Sequence, residues 1–163
     1  MELYHSSFPP IVTEETETLI LGSLPGAESL RRQQYYAHPR NRFWRIIASL
    51  AERNYTEDYK LRIEMLTALR LGLWDVAARA IRPGSLDSDI TGETPNDIPL
   101  LLKGHPNIKT VIFNGRKAQA LYQKYFTGTE GIRYIYLPST SPANAGFSFD
   151  RLLSAWRSAV IGQ

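Results

Sequence analysis

Asn41 lies in the run Tyr35-Tyr36-Ala37-His38-Pro39-Arg40-Asn41-Arg42-Phe43-Trp44, among aromatic and basic neighbours. Its amide offers a carbonyl and an NH2 group, enough to hold a water or to hydrogen-bond the edge of a base. It also stands just before an apolar pattern, where an Asn side chain can cap a helix. Tyr36 supplies a flat face for a ring, and His38 can either donate to a leaving base or brace the loop. This stretch is reached from Gly22-Ser23-Leu24-Pro25-Gly26, where Ser23 and Leu24 are candidates for contact with a bound base. A second polar loop, Leu137-Pro138-Ser139-Thr140-Ser141-Pro142-Ala143-Asn144-Ala145, carries Ser139, Thr140, Ser141 and Asn144. Hydroxyls, amides and nearby main-chain N–H groups of this kind grip phosphate. Asn114 ends another apolar run and is a further candidate for a base contact. Such a set suits a flat heterocycle with a phosphate beside it.

Charge agrees with that chemistry without requiring it. The formal net charge is only +3, yet Arg31, Arg32, Arg40, Arg42 and Arg45 fall within fifteen residues, interleaved with Tyr35, Tyr36, Phe43 and Trp44. Basic and aromatic side chains in one segment suit a phosphate backbone and a stacked base, and Arg40 and Arg42 are the candidate strand contacts. A solvated, partly helical face is the competing reading.

Several reaction classes are excluded. The chain has no Cys, so it has neither a disulfide nor a thiol nucleophile. Its three His residues, His5, His38 and His105, lack metal-ligand spacing, so neither a metal nor a cofactor is expected. No Gly-x-Ser-x-Gly elbow and no Gly-x-x-x-x-Gly-Lys-Ser/Thr loop is present, and the dinucleotide-binding glycine spacing does not follow the first strand. A serine nucleophile with a distant His stays formally open. No apolar run is long enough to span a bilayer, and Met1-Glu2-Leu3-Tyr4-His5 lacks the features of a signal peptide. A monomeric cytoplasmic protein without membrane contact is expected.

The elements that must position these loops alternate. With 163 residues, 43% of them apolar, one domain covering 1–163 is expected. Short apolar runs at 18–21, 73–77, 110–114 and 133–137 read as strands. Helical periodicity covers 43–50 and 59–71, with Gly72 placed to close the second helix. Further helices are expected from an Asn96 cap to Lys103, over 116–126 and over 147–161, the last with Leu152, Leu153, Trp156 and Val160 inward. Residues 82–96, rich in Gly, Ser, Thr, Pro and Asp, read as a loop. Asp75 is an acid among apolar residues, either buried against a loop backbone or part of a site. The fold class implied is α/β, a three-layer α/β/α sandwich around a mostly parallel sheet of about four strands. Ligands in such sheets bind beyond the carboxyl ends of the strands, where both marked loops and Asn114 fall.

Both loops resemble those of the uracil-DNA glycosylase superfamily. The segment from Tyr36 to Trp44 is similar to its mismatch-specific uracil/thymine members. Gly22-Ser23-Leu24-Pro25-Gly26, the Leu137–Ala145 loop, Gly72-Leu73-Trp74-Asp75-Val76 and Gly84-Ser85-Leu86-Asp87-Ser88-Asp89-Ile90 look like the hypoxanthine-DNA glycosylase branch. The resemblance runs from Leu19 onward. It implies a uracil-DNA glycosylase-like fold and a monofunctional base-excision repair enzyme acting on DNA that contains a deaminated base, most of all hypoxanthine. Asn41 matches the Asn that this branch is taken to need for catalysis. Uracil-removing relatives carry an Asp or Asn in the first loop where this chain has Leu24, so uracil excision is not expected to be robust. The second loop lacks the His of the fast uracil enzymes. Excision of uracil or xanthine, a nucleic-acid binding module without catalysis, and an esterase are the alternatives.

Overall fold

The computed structural model describes residues 4–82 and 87–162. Its centre is a parallel sheet of four strands in the order β3-β2-β6-β7, formed by β2 (Thr18–Gly22), β3 (Leu71–Asp75), β6 (Thr110–Asn114) and β7 (Arg133–Leu137). Alternation along the strands divides the core in two. Ile20 and Ile112 face one side, together with Phe43, Ile46, Ile47, Leu66, Leu152 and Trp156 of the helices α2 (Phe43–Leu50), α3 (Tyr59–Ala68) and α6 (Phe149–Val160). Leu19, Leu21, Val111 and Phe113 face the other side, against Ile98 and Leu102 of α4 (Ile98–Gly104) and Ala118, Leu121 and Tyr122 of α5 (Arg116–Tyr125). A strand buried on both faces reads as a continuous apolar run, which is why these strands stand out in the sequence. The three-layer α/β/α sandwich is as expected.

A second sheet was not expected. Strand β1 (Tyr4–Ser6) pairs antiparallel with β4 (Ala77–Ile81), and β4 pairs antiparallel with β5 (Thr91–Pro95) through two irregularities of register. The 82–96 region is therefore not all loop. Thr-Gly-Glu-Thr-Pro is a poor strand by propensity, and its pairing with β4 decides the matter. Gly84, Ser85 and Leu86 of the Gly84–Ile90 stretch lie outside the described residues. The connection after β2 is likewise not structureless, since it contains the short helix α1 (Ala27–Arg32).

Two capping expectations fail for local reasons. Helix α3 ends at Ala68, and Arg70 in the left-handed region (φ +59°) makes the turn. Gly72 is inside β3, where a Cβ would meet the Ile11 carbonyl at 2.8 Å, so its small size serves close packing rather than a helix end. Asp97, not Asn96, caps α4 by accepting from the Leu100 N–H at 3.1 Å. The Asn96 amide instead donates to the Asp75 carbonyl at 2.8 Å.

Candidate active site

Gly22, Asp75, Asn114 and Leu137 end the four parallel strands on one edge of the sheet, and both polar loops leave from that edge. Buried tryptophans hold each loop to a helix. The Trp44 indole of α2 donates to the Tyr35 carbonyl at 2.8 Å, and the Trp156 indole of α6 donates to the Pro138 carbonyl at 3.3 Å. The Phe43 ring meets both indoles edge to face, at 4.9 and 5.9 Å between centroids. Tyr59 and Ser29 oxygens accept from the Tyr35 and Ala37 N–H groups, each at 3.1 Å. Arg42 then joins the loops to each other. Its N–H donates to the Thr140 carbonyl at 3.1 Å, and its guanidinium donates to the carbonyls of Ser141 at 3.2 Å, Asn144 at 2.9 Å and Phe147.

Between the loops lies a cavity of about 720 Å³. Small-molecule sites span about 300–1,000 Å³. Ten of the residues singled out in the sequence line it: Ser23, Leu24, Tyr36, His38, Asn41, Asn114, Ser139, Thr140, Ser141 and Asn144. Arg40 and Arg42 do not. Arg40 is exposed, and Arg42 is committed to the clamp just described.

The lining residues differ in what they leave for a ligand. Asn41 Oδ1 accepts from the Phe43 N–H at 2.9 Å at the start of α2. That bond orients the amide, so the Nδ2 donor is the part of Asn41 left for a ligand. His38 Nδ1 accepts from the Arg40 N–H at 3.1 Å, which puts the proton of the neutral ring on Nε2. Asn114 and Thr140 form a buried reciprocal pair: Asn114 Oδ1 accepts from the Thr140 N–H at 3.0 Å, and its Nδ2 donates to Thr140 Oγ1 at 3.1 Å. Thr140 is wholly buried, so its hydroxyl holds the wall rather than reaching a strand. Asn144 Nδ2 donates to the Ser139 carbonyl at 3.0 Å, and Ser139 Oγ accepts from the Ser141 N–H at 3.1 Å. The Ser23 hydroxyl donates to Asp87 Oδ1 at 2.6 Å, while Leu24 packs into the apolar core beside α4 and α5.

Tyr36 occupies the left-handed region (φ +53°), which is uncommon for a bulky residue. One face of its ring lies on Phe43, 4.3 Å between centroids at 30°. Its hydroxyl is buried and has no hydrogen-bond partner among the described residues. Burial first, and the nearby Asp75 next, push that hydroxyl well above its ordinary range, against the Asn114 side chain, which lies close to it.

Other lining residues were given no role in the sequence reading. Arg116 and Lys117 come from the first turn of α5, and Arg82 precedes the undescribed segment. No local pattern marked these three, because each depends on where its element docks, whereas Asp87 lies in one of the stretches that carry the resemblance. Asp75 had a signal, an acid at the end of an apolar run. It is 4% exposed, and Ser7 Oγ donates to its Oδ2 at 3.0 Å. Burial pushes its carboxyl up to about 7, against the Ser7 bond and the charge of Arg82 and with the charge of Asp87. Among the described residues no group of three or more His, Asp or Glu is placed to hold a metal ion, and no helix is long and apolar enough to cross a membrane.

Residues 9–159 match the model of the uracil DNA glycosylase superfamily. The chain is 43% identical over 145 residues to a hypoxanthine DNA glycosylase of Methanosarcina acetivorans, an alignment covering 88% of this chain and 90% of that one. It is 46% identical over 112 residues to a hypoxanthine DNA glycosylase of Methanosarcina barkeri, covering 68% and 71%. A solution NMR structure of a candidate uracil DNA glycosylase from Methanosarcina acetivorans superposes with a TM-score of 0.81 at 40% identity, over 98% of both chains.

Proposed function

The chain belongs to the uracil DNA glycosylase superfamily, and from that premise we propose that it is a monofunctional DNA glycosylase of base-excision repair that removes hypoxanthine from DNA. The observation that carries this reading is the convergence of both loops on one cavity in which the Asn41 donor is left for a ligand. We read the chain as a single domain acting as a monomer in the cytoplasm, with DNA as its partner.

The damaged nucleotide leaves the duplex at an unstacking cost of a few kcal/mol and enters between the loops. Arg116 and Lys117 at the rim meet phosphates, with Ser139, Ser141 and Asn144 following the strand. Tyr36, backed by Phe43, bounds the ring of the base. The bond between the anomeric carbon and the base nitrogen stretches, and its electron pair leaves with the base. Asn41 Nδ2 holds a water by its oxygen, or an acceptor atom of the base. An amide donor cannot remove the proton of that water. The sugar therefore gains oxocarbenium character before water adds, which suits a first loop with Leu24 in place of a carboxylate. Main-chain N–H groups around Ser23 face the charge growing on the base. Water oxygen ends on the sugar, one proton ends on the base, and an abasic site remains.

Leu24 also favours a second reading, a module that binds flipped bases with little catalysis. Single-turnover incubation with duplexes carrying one deoxyinosine, deoxyxanthosine or deoxyuridine, followed by alkali cleavage, separates them. Cleavage at inosine that is lost in Asn41→Ala supports the assignment. Cleavage confined to uridine or xanthosine moves the substrate within the family. Retained binding with no cleavage on any duplex supports the module.

A further inference from the structure

The floor of the cavity carries a buried carboxyl that takes no part in holding water or gripping the strand. Asp75 and Gly22 are register partners at the ends of β3 and β2. A Cβ built on Gly22 would lie 2.7 Å from Asp75 Oδ1 and 3.0 Å from the Tyr36 hydroxyl. Asp75 and the Tyr36 hydroxyl thus pack close against Gly22, where no side chain could be accommodated, and all three residues line the cavity. The Tyr36 hydroxyl closes no hydrogen bond of ordinary geometry there, although the Asn114 side chain lies near it, and Ser7 occupies the other carboxyl oxygen. A buried hydroxyl so poorly partnered costs free energy that a ligand can recover.

The geometry of flipping decides which part of a base arrives at this floor. The base stays tied through its glycosidic nitrogen to the sugar at the mouth. The edge that reaches furthest in is the opposite one, which in hypoxanthine bears N1–H and the C6 oxygen. Resting on the glycosylase assignment above, we propose that Asp75 in its neutral form donates from Oδ1 to the C6 oxygen of the flipped base, while the Tyr36 hydroxyl accepts from N1–H. Asp75 is then both a catalytic and a specificity-determining residue. As the glycosidic bond breaks, its electron pair delocalises onto the base and part of the charge reaches the C6 oxygen. An O–H group at that oxygen stabilises the charge, whereas a carboxylate repels it. Asp75 begins and ends protonated, and the proton that the free base gains comes from the added water. Adenine presents a 6-amino donor to the same O–H, leaving two buried donors face to face, so the undamaged base is rejected.

The surroundings favour the neutral acid. Burial most of all, and the charge of Asp87 with it, oppose ionisation, while the Ser7 bond and Arg82 favour it, and the acid settles at about 7. The Tyr35 hydroxyl also feels the charge of Asp75.

The test is the pH profile of single-turnover base release from an inosine duplex between pH 5.5 and 9, for the natural chain, Asp75→Asn and Asp75→Ala. The natural chain is expected to lose about tenfold per pH unit above an apparent pKa near 7. Asp75→Asn keeps a donor but cannot ionise, so it retains the low-pH rate within about tenfold and shows a flat profile. Asp75→Ala falls about a hundredfold at pH 6. A flat profile for the natural chain, or a fall near pH 7 that persists in Asp75→Asn, overturns the role of Asp75 and leaves the glycosylase assignment standing. No base release from the natural chain on any duplex overturns both. If the variants do not fold, the profile of the natural chain and that of Tyr36→Phe decide. Tyr36→Phe is expected to release hypoxanthine more slowly with the fall near pH 7 unchanged, and an unchanged rate overturns the N1–H contact.

Discussion

Replacing Arg42 by Ala tests whether the site is held together from inside. The guanidinium donates to three main-chain carbonyls, those of Ser141, Asn144 and Phe147, and all three bonds are partly buried. A hydrogen bond from a charged donor contributes about 1.5–3 kcal/mol, and water recovers part of that for carbonyls that are not sealed. A net loss of about 3 kcal/mol follows for Arg42→Ala, which at a urea slope of about 1–3 kcal/mol/M moves the midpoint down by about 1–3 M. Arg42→Lys recovers less than half, because an ammonium cannot reproduce the fork that reaches several carbonyls. Equilibrium unfolding in urea gives the first number, and the salt dependence of duplex binding gives a second. A phosphate contact contributes about −0.9 to the slope of log K against log salt. The clamp predicts an unchanged slope. A variant as stable as the natural chain, with a slope shallower by about one, would refute the clamp and return Arg42 to the strand.

Two further substitutions probe the floor. Gly22→Ala drives a methyl to within 2.7 Å of Asp75 Oδ1 and 3.0 Å of the Tyr36 hydroxyl, so base release should fall at least tenfold while duplex binding persists; equal release by the variant in single-turnover assays would mean that no base reaches this depth. The stability difference between Asp75→Asn and the natural chain should depend on pH. The carboxyl is raised from 3.8 to about 7 in the folded chain, so its contribution to stability is complete below about 4 and is lost as pH rises through 7. The Asn variant gains up to about 4 kcal/mol on the natural chain between pH 4 and pH 8, and a difference in urea midpoint that stays constant over that range would refute it.

The central sheet was legible because its strands are buried on both faces. Runs such as Thr110–Asn114 and Arg133–Leu137 need no partner to be recognised, and the bounds read from sequence match those of the structure. The antiparallel sheet was illegible because β5 is a strand only by virtue of pairing with β4, and β4 belongs to a stretch whose apolar pattern ends early. For the site, polar residues beside proline and glycine marked both loops, and ten of the residues singled out line one cavity. Chemistry alone did not separate wall from working surface. Thr140 looks as available as Ser139 until its full burial and its bonds to Asn114 are seen, and Arg42 looks like a strand contact until its carbonyl partners appear 99 to 105 residues away. Arg116 and Lys117 carried no signal, since their place at the rim follows from how α5 docks.

Arg42 binds the two halves of the cavity to each other across 99 to 105 residues, and this shapes how activity arises in time. Each loop has a partner near it in sequence, the Trp44 indole 9 residues from Tyr35 and the Trp156 indole 18 residues from Pro138, but joining the loops waits for the Arg42 guanidinium to reach the carbonyls of Ser141, Asn144 and Phe147. Contacts of such separation form late, because the entropy of closing long loops must be overcome first. Each loop can therefore settle on its own helix before the cavity is complete, and recovery of base release follows closure of the Arg42 clamp rather than burial of Trp44 or Trp156.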